Sequence, residues 1–84
     1  MPAISRFYGI IVKMFFKGSE HNPPHFHAVY GEYLGEFNIN TLEMIEGDLP
    51  RNARKLVKKW AEKHRNELMT IWESQEFKEI EPLL

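Results

Sequence analysis

His21, His25 and His27 put three of the chain's four histidines within seven residues, in the run His21-Asn-Pro-Pro-His-Phe-His27. Imidazole is the one side chain whose unperturbed pKa lies near neutrality. In an extended segment His25 and His27, two apart, point the same way. His21 precedes them across Pro23-Pro24, which fixes φ twice and stiffens the run. Three uses fit. His25 and His27 act as general base and acid, for instance on a phosphodiester attacked by its own 2′-hydroxyl. Alternatively, neutral His21, His25 and His27 hold a divalent transition metal, zinc being the candidate cofactor. In the third use the rings are structural and bond backbone carbonyls around the Pro-Pro step. Glu20 and Glu32 are the only carboxylates close by in sequence. With none placed to orient a catalytic histidine, the balance leans to binding.

A second set of residues is cationic. Between 51 and 65 stand Arg51, Arg54, Lys55, Lys58, Lys59, Lys63 and Arg65 against Glu62 alone, a balance of +6 in a chain of net charge -1. Arg54, Lys55, Lys58 and Lys59 fall on one side of a helical wheel, either as a solvated outer face or as contacts to phosphate or an acidic partner. Arg6, in Ser5-Arg6-Phe7-Tyr8-Gly9, is a further candidate for a phosphate or carboxylate; the segment otherwise reads as an aromatic cluster at the end of a sheet. No glycine-rich phosphate loop, nucleophile elbow or paired-carboxylate motif is present.

The elements that must position these groups follow from periodicity. Ile10 to Phe16 is β-branched and aromatic, with Ile10, Val12, Met14 and Phe16 on one face and Ile11, Lys13 and Phe15 on the other. His25 to Tyr30 reads as a strand with Phe26, Ala28 and Tyr30 opposite His25, His27 and Val29. Gly31-Glu32 suits a type II′ hairpin. Tyr33 to Ile39 is the next strand, where Gly35 permits a bulge or a close approach. Leu42 to Glu46 forms a short fourth strand ended by Gly47-Asp48. From Pro50 the period becomes 3.6, with Leu49, Ala53, Leu56, Val57, Trp60, Ala61, His64, Leu68, Ile71 and Trp72 on one stripe. The fold class is α+β: an antiparallel β-meander of three to four strands (about 4–46) packed on one long C-terminal helix (about 50–74). Asp48 is placed to help cap the helix. At about 36 Å the helix should overhang the sheet and leave Leu68, Ile71 and Trp72 thinly covered. The acidic tail 75–84 keeps Phe77, Ile80 and Leu83 for docking.

Composition narrows the classes. The 84 residues make one domain, 43% hydrophobic and 27% charged, an ordinary globular balance. Absence of cysteine removes disulfides, thiol nucleophiles and cysteine metal sites. A domain this small without staples suggests a reducing cytoplasm. No run approaches the ~20 apolar residues of a membrane span. One helix covers one sheet face, so the other face, carrying Ile11, Phe15 and Val29, implies association as a homodimer or with another protein.

Met1-Pro-Ala-Ile-Ser-Arg-Phe-Tyr-Gly-Ile10, His21-Asn-Pro-Pro-His-Phe-His-Ala28, Ile45-Glu-Gly-Asp-Leu-Pro50 and Trp60-Ala-Glu-Lys-His-Arg65 together resemble domain of unknown function family 4160, small bacterial and archaeal proteins. The resemblance covers nearly the whole chain and transfers no catalytic residue. Genes of that family often stand beside a second small gene, an arrangement that implies a toxin–antitoxin-like pair. The expected function is therefore a component of a two-gene module that binds a neighbour-encoded small protein, and RNA through the histidine cluster and basic helix. The alternatives are a small His-dependent ribonuclease-like enzyme and a transition-metal-binding domain.

Overall fold

Short runs of branched and aromatic residues fill the first half of the chain, and two of the links between them are two-residue turns. In the computed structural model, which describes residues 3–15 and 23–83, they form five strands: β1 (Ala3–Phe7), β2 (Ile10–Lys13), β3 (His25–Tyr30), β4 (Tyr33–Asn38) and β5 (Met44–Asp48). The strands pair in chain order, all antiparallel. Helix α1 follows at Arg51–Ser74. The α+β class and the meander-plus-helix architecture stand as expected, with one strand more.

The added strand is β1, in place of an aromatic cluster at the sheet's end. It is only five residues long, and its link to β2 is the two-residue turn Tyr8-Gly9. Both residues take positive φ, 48° and 80°, the backbone a type I′ hairpin needs. Gly31 opens the β3–β4 turn at φ 61°, as the expected II′ turn requires, and sets Tyr30 opposite Tyr33. The last strand starts later than its apolar pattern suggested. Asn38 Oδ1 accepts from the N–H groups of Asn40 and Thr41, and Leu42 turns into positive φ. These local bonds hold 39–43 as a loop, so Gly47 and Asp48 lie within β5 rather than after it. Phe16, assigned to the second strand by pattern, lies outside the described residues.

Alternation along each strand separates two faces. Ile10, Val12, Met14, Phe26, Ala28, Phe37 and Ile39 are buried under α1. Gly35 is the close approach in that layer: a Cβ there would meet Met44 Sδ at 3.0 Å and the Leu49 side chain at 3.1 Å. The helix buries Ala53, Val57, Trp60, Ala61, Leu68, Ile71 and Trp72. No side chain caps its start, so Asp48 does not play the role expected of it. The helix is also not straight, since His64 leaves helical geometry at φ -120°, ψ 20°.

The predicted overhang is filled from within the chain. Leu68 and Ile71 are fully buried, and Ile80 and Leu83 of the C-terminal segment join the same core. That segment is tied down twice: the Trp60 indole N–H donates to Glu81 O at 2.9 Å, and the Ile80 N–H donates to Ile4 O at 2.7 Å. It therefore lies along the outer edge of β1. No helix among the described residues is long and apolar enough to cross a membrane.

Candidate functional site

The face of the sheet away from α1 reads across the strands in rows, because directly opposed residues share a face. One row is Lys13, His27, Glu36 and Glu46; the next is Arg6, Ile11, Val29, Leu34 and Asp48. His25, at the start of β3, stands opposite Asn38 beyond the first row. Alternation thus places His25 and His27 side by side, and register puts Glu36 beside them.

The three side chains converge. His27 Nε2 lies 3.1 Å from Glu36 Oε1, and His25 Nε2 lies 3.8 Å from the same oxygen. His25 Nδ1 is 2.9 Å from the carbonyl of Pro23. A carbonyl only accepts, so Nδ1 carries the proton and neutral His25 turns a bare Nε2 towards Glu36. The extended Pro23-Pro24 lead therefore fixes the His25 tautomer. Phe15 packs edge-on to His27 at 4.4 Å between ring centres, and Trp72, reaching round from the far end of α1, lies 5.0 Å from His25. These walls leave the two imidazoles only 13% and 16% exposed. Burial pushes the His27 pKa below the ordinary imidazole value, with the charged form of His25 adding to the shift, against the opposing pull of Glu36 and Glu46. His27 is therefore neutral near pH 7, and its Nε2–H donates to the Glu36 carboxylate. His27 Nδ1 is buried with no hydrogen-bond partner among the described residues.

Beside this cluster opens a pocket of about 300 Å³ lined by His27, Leu34, Glu36, Glu46 and Gly47. One metal-competent group stands among the described residues, His25, His27 and Glu36, each offering a ligand atom within 4.8 Å of the others. His21, the third expected metal ligand, lies outside the described residues. The fourth histidine, His64, is apart on the helix, 2.8 Å from Glu67.

The cationic candidates do not join the site. Arg54, Lys55, Lys58 and Lys59 are exposed on α1, across the sheet from the histidines. Arg6 is exposed on β1, two strands from β3. The histidine cluster and the basic helix therefore stand on opposite sides of the sheet. The residue missed was Glu36. The expected II′ hairpin already contained it: with Tyr30 opposite Tyr33, each step outward pairs the next two residues, and the third step pairs His27 with Glu36. Counting sequence neighbours passed over this cross-strand one.

No curated protein and no solved structure gives a match to this chain. A family model does, over residues 9–73, a span that takes in β2 to β5, His25, His27, Glu36 and nearly all of α1. The chain belongs to the family described as Domain of unknown function (DUF4160).

Proposed function

We propose that the chain binds a divalent transition metal, zinc first, through His25 Nε2, His27 Nε2 and Glu36 Oε1. The observation that supports this is the convergence of those three atoms from two adjacent strands. Around a tetrahedral zinc with bonds of about 2.0–2.2 Å, ligand atoms sit roughly 3.3–3.6 Å apart. The separations of 3.1 and 3.8 Å bracket that spacing, so small ring rotations suffice. Two histidines and one carboxylate leave a fourth position for water or an outside ligand, and the pocket at Leu34 and Glu46 adjoins it. The Pro23 carbonyl supports His25 as outer hydrogen bonds support metal-bound imidazoles. Among the described residues His27 has no such support, because metal on its Nε2 moves the proton to the buried Nδ1, which bonds to none of them. Missing outer support costs about 10–100-fold in affinity, so the site is a modest binder. His27 is less well placed as an acid–base group: with its Nε2 held by Glu36, the nitrogen left for a substrate proton is the buried Nδ1.

Calorimetric titration of zinc into the metal-free chain tests this. One equivalent should bind, and His25→Ala and His27→Ala should each remove the heat, while magnesium, which prefers oxygen cages, gives none. An absence of zinc heat with the native chain overturns the reading.

A second reading is that the chain is the partner-binding member of a two-gene, toxin–antitoxin-like module. It is favoured by the large apolar side chains left bare at one side of the sheet, Leu34 at 51% and Ile45 at 47% exposure. Co-expression with the neighbour-encoded protein should give a complex that Leu34→Asp weakens; two proteins that elute separately at micromolar concentration count against it.

A further inference from the structure

The two edges of the sheet differ. The outer edge of β1 receives the C-terminal segment through Ile80, whereas nothing among the described residues pairs with the outer edge of β5. Four of the five β5 residues, Ile45 to Asp48, are exposed. A bare edge is a template for another strand. Its two flanks carry opposite charge. On the open face stand Glu46 and Asp48, with Glu36 behind Glu46. On the helix side a groove of about 320 Å³ is lined by Phe37, Leu42, Glu43, Met44, Arg54 and Lys58. Arg54 donates to Leu49 O, and neither it nor Lys58 has a carboxylate partner among the described residues.

We infer that β5 is a docking edge for an extended segment of a different protein, whose side chains alternate basic towards Glu46 and Asp48 and acidic towards Arg54 and Lys58, with Ile45 as the apolar contact between. Successive side chains of a strand face opposite ways, so one added strand meets both flanks at once. Three features choose this occupant. Antiparallel pairing of β5 with a second copy would set Glu46 and Asp48 against their own kind, and directly opposed like charges destabilise a sheet. The bulge in β5, where the register with β4 shifts between Glu36 and Phe37, likewise guards an edge against indiscriminate pairing. A nucleic acid strand reaching the Arg54 and Lys58 groove would bring phosphates against Glu43, Glu46 and Asp48. The inference supplies the partner chemistry for the second reading above, and it does not depend on which gene encodes that partner.

The probe is a capped synthetic peptide of about six residues, the usual strand length, alternating lysine and glutamate. Its control has the same composition with the lysines and glutamates in separate blocks. Backbone amide exchange and chemical shifts are read on the full-length chain. The alternating peptide should protect amides in 44–48, and the block peptide should bind at least tenfold more weakly. Glu46→Lys should abolish binding of the alternating peptide in either register, because reversing its faces then turns lysines onto Arg54 and Lys58. Glu46 is exposed, so the variant keeps the fold, which its unchanged core amide shifts verify. Equal affinity for both peptides, protection away from β5, tighter binding of a short RNA than of the alternating peptide, or a concentration-dependent dimer that Ile45→Lys dissolves would each overturn the inference. Loss of peptide binding with a native response to the neighbour-encoded protein would overturn it while leaving the second reading intact.

Discussion

Glu36→Gln separates a metal ligand from an ordinary sheet residue. The amide is nearly isosteric and its oxygen still accepts from His27 Nε2–H, so the fold keeps its 3.1 Å contact. What is lost is the charge. A hydrogen bond to a charged group contributes about 1.5–3 kcal/mol and a neutral one about 0.5–1.5 kcal/mol. With Glu36 26% exposed, water screens the difference, and the structural loss should be about 1 kcal/mol or less. In a domain of this length that lowers Tm by roughly 4–8 °C. Zinc acts on a larger scale. At one hundred times its Kd a ligand of the folded state adds about 2.7 kcal/mol, a rise in native Tm of roughly 10–20 °C. Loss of the carboxylate leaves two imidazoles, one poorly supported, and the zinc-dependent rise should nearly vanish in the variant. Differential scanning calorimetry with and without zinc measures both quantities. A Glu36→Gln chain that is slightly destabilised yet keeps the full zinc-dependent rise would refute the assignment of Glu36 as a ligand.

Gly47→Ala should cost about 3 kcal/mol or more, since φ is 96° and a Cβ would clash with the Leu34 carbonyl oxygen; urea denaturation measures it. Trp60→Phe should lose about 2 kcal/mol, divided between the hydrogen bond to Glu81 O and the space left in a fully buried site. Amide exchange at Ile80 should accelerate with it, and unchanged protection there would show that the C-terminal segment is held by other contacts. In metal-free protein, stability should rise with pH across the window just below about 6.5, the unfolded imidazole value. There the unfolded chain binds a proton that buried His27 resists. The stability is fully present above that value and is lost as pH falls through the lower folded pKa, and His27→Gln should flatten this slope in denaturant titrations at stepped pH.

Periodicity alone reached most of the scaffold. The stripe from Ala53 to Trp72 marked α1, because a helix buried on one side repeats its apolar residues every 3.6 positions. Alternation set His25 and His27 on the face opposite Phe26 and Ala28. What sequence did not yield depended on contacts between distant residues. β1 was hidden because five residues with a tyrosine in the following turn carry little local signal, and pairing with β2 is what makes them a strand. Burial of Leu68 and Ile71 depended on where Ile80 and Leu83 return, which no periodicity encodes. Glu36 needed the hairpin register carried three steps outward, and Trp72 beside His25 needed the course of a helix that bends at His64. Elements were legible from local pattern; the site, assembled from β3, β4, the loop before β3 and the far end of α1, was legible only as far as its strand-borne histidines.

Glu36 and Glu46 face each other across β4 and β5, and opposed like charges weaken a sheet. A cation at either carboxylate relieves that repulsion, so the metal site and the docking edge should oppose one another. Zinc on Glu36 removes negative potential from the flank where a partner's lysine would sit. For a lysine about 8 Å from the ion, each unit of charge changes the interaction by about 0.5–2 kcal/mol, for effective dielectrics between about 80 and 20. Zinc adds two units, so at saturation it should weaken the alternating lysine–glutamate peptide by a factor of between about five and a thousand. Binding linkage is reciprocal, so saturating peptide should weaken zinc by the same factor. The effect should shrink as salt shortens the screening length. Paired calorimetric titrations, each ligand with and without the other, measure both sides of the cycle. Two factors that agree and exceed unity place Glu36 and Glu46 in one electrostatic unit. Affinities that ignore each other would mean that zinc or the peptide binds away from this row.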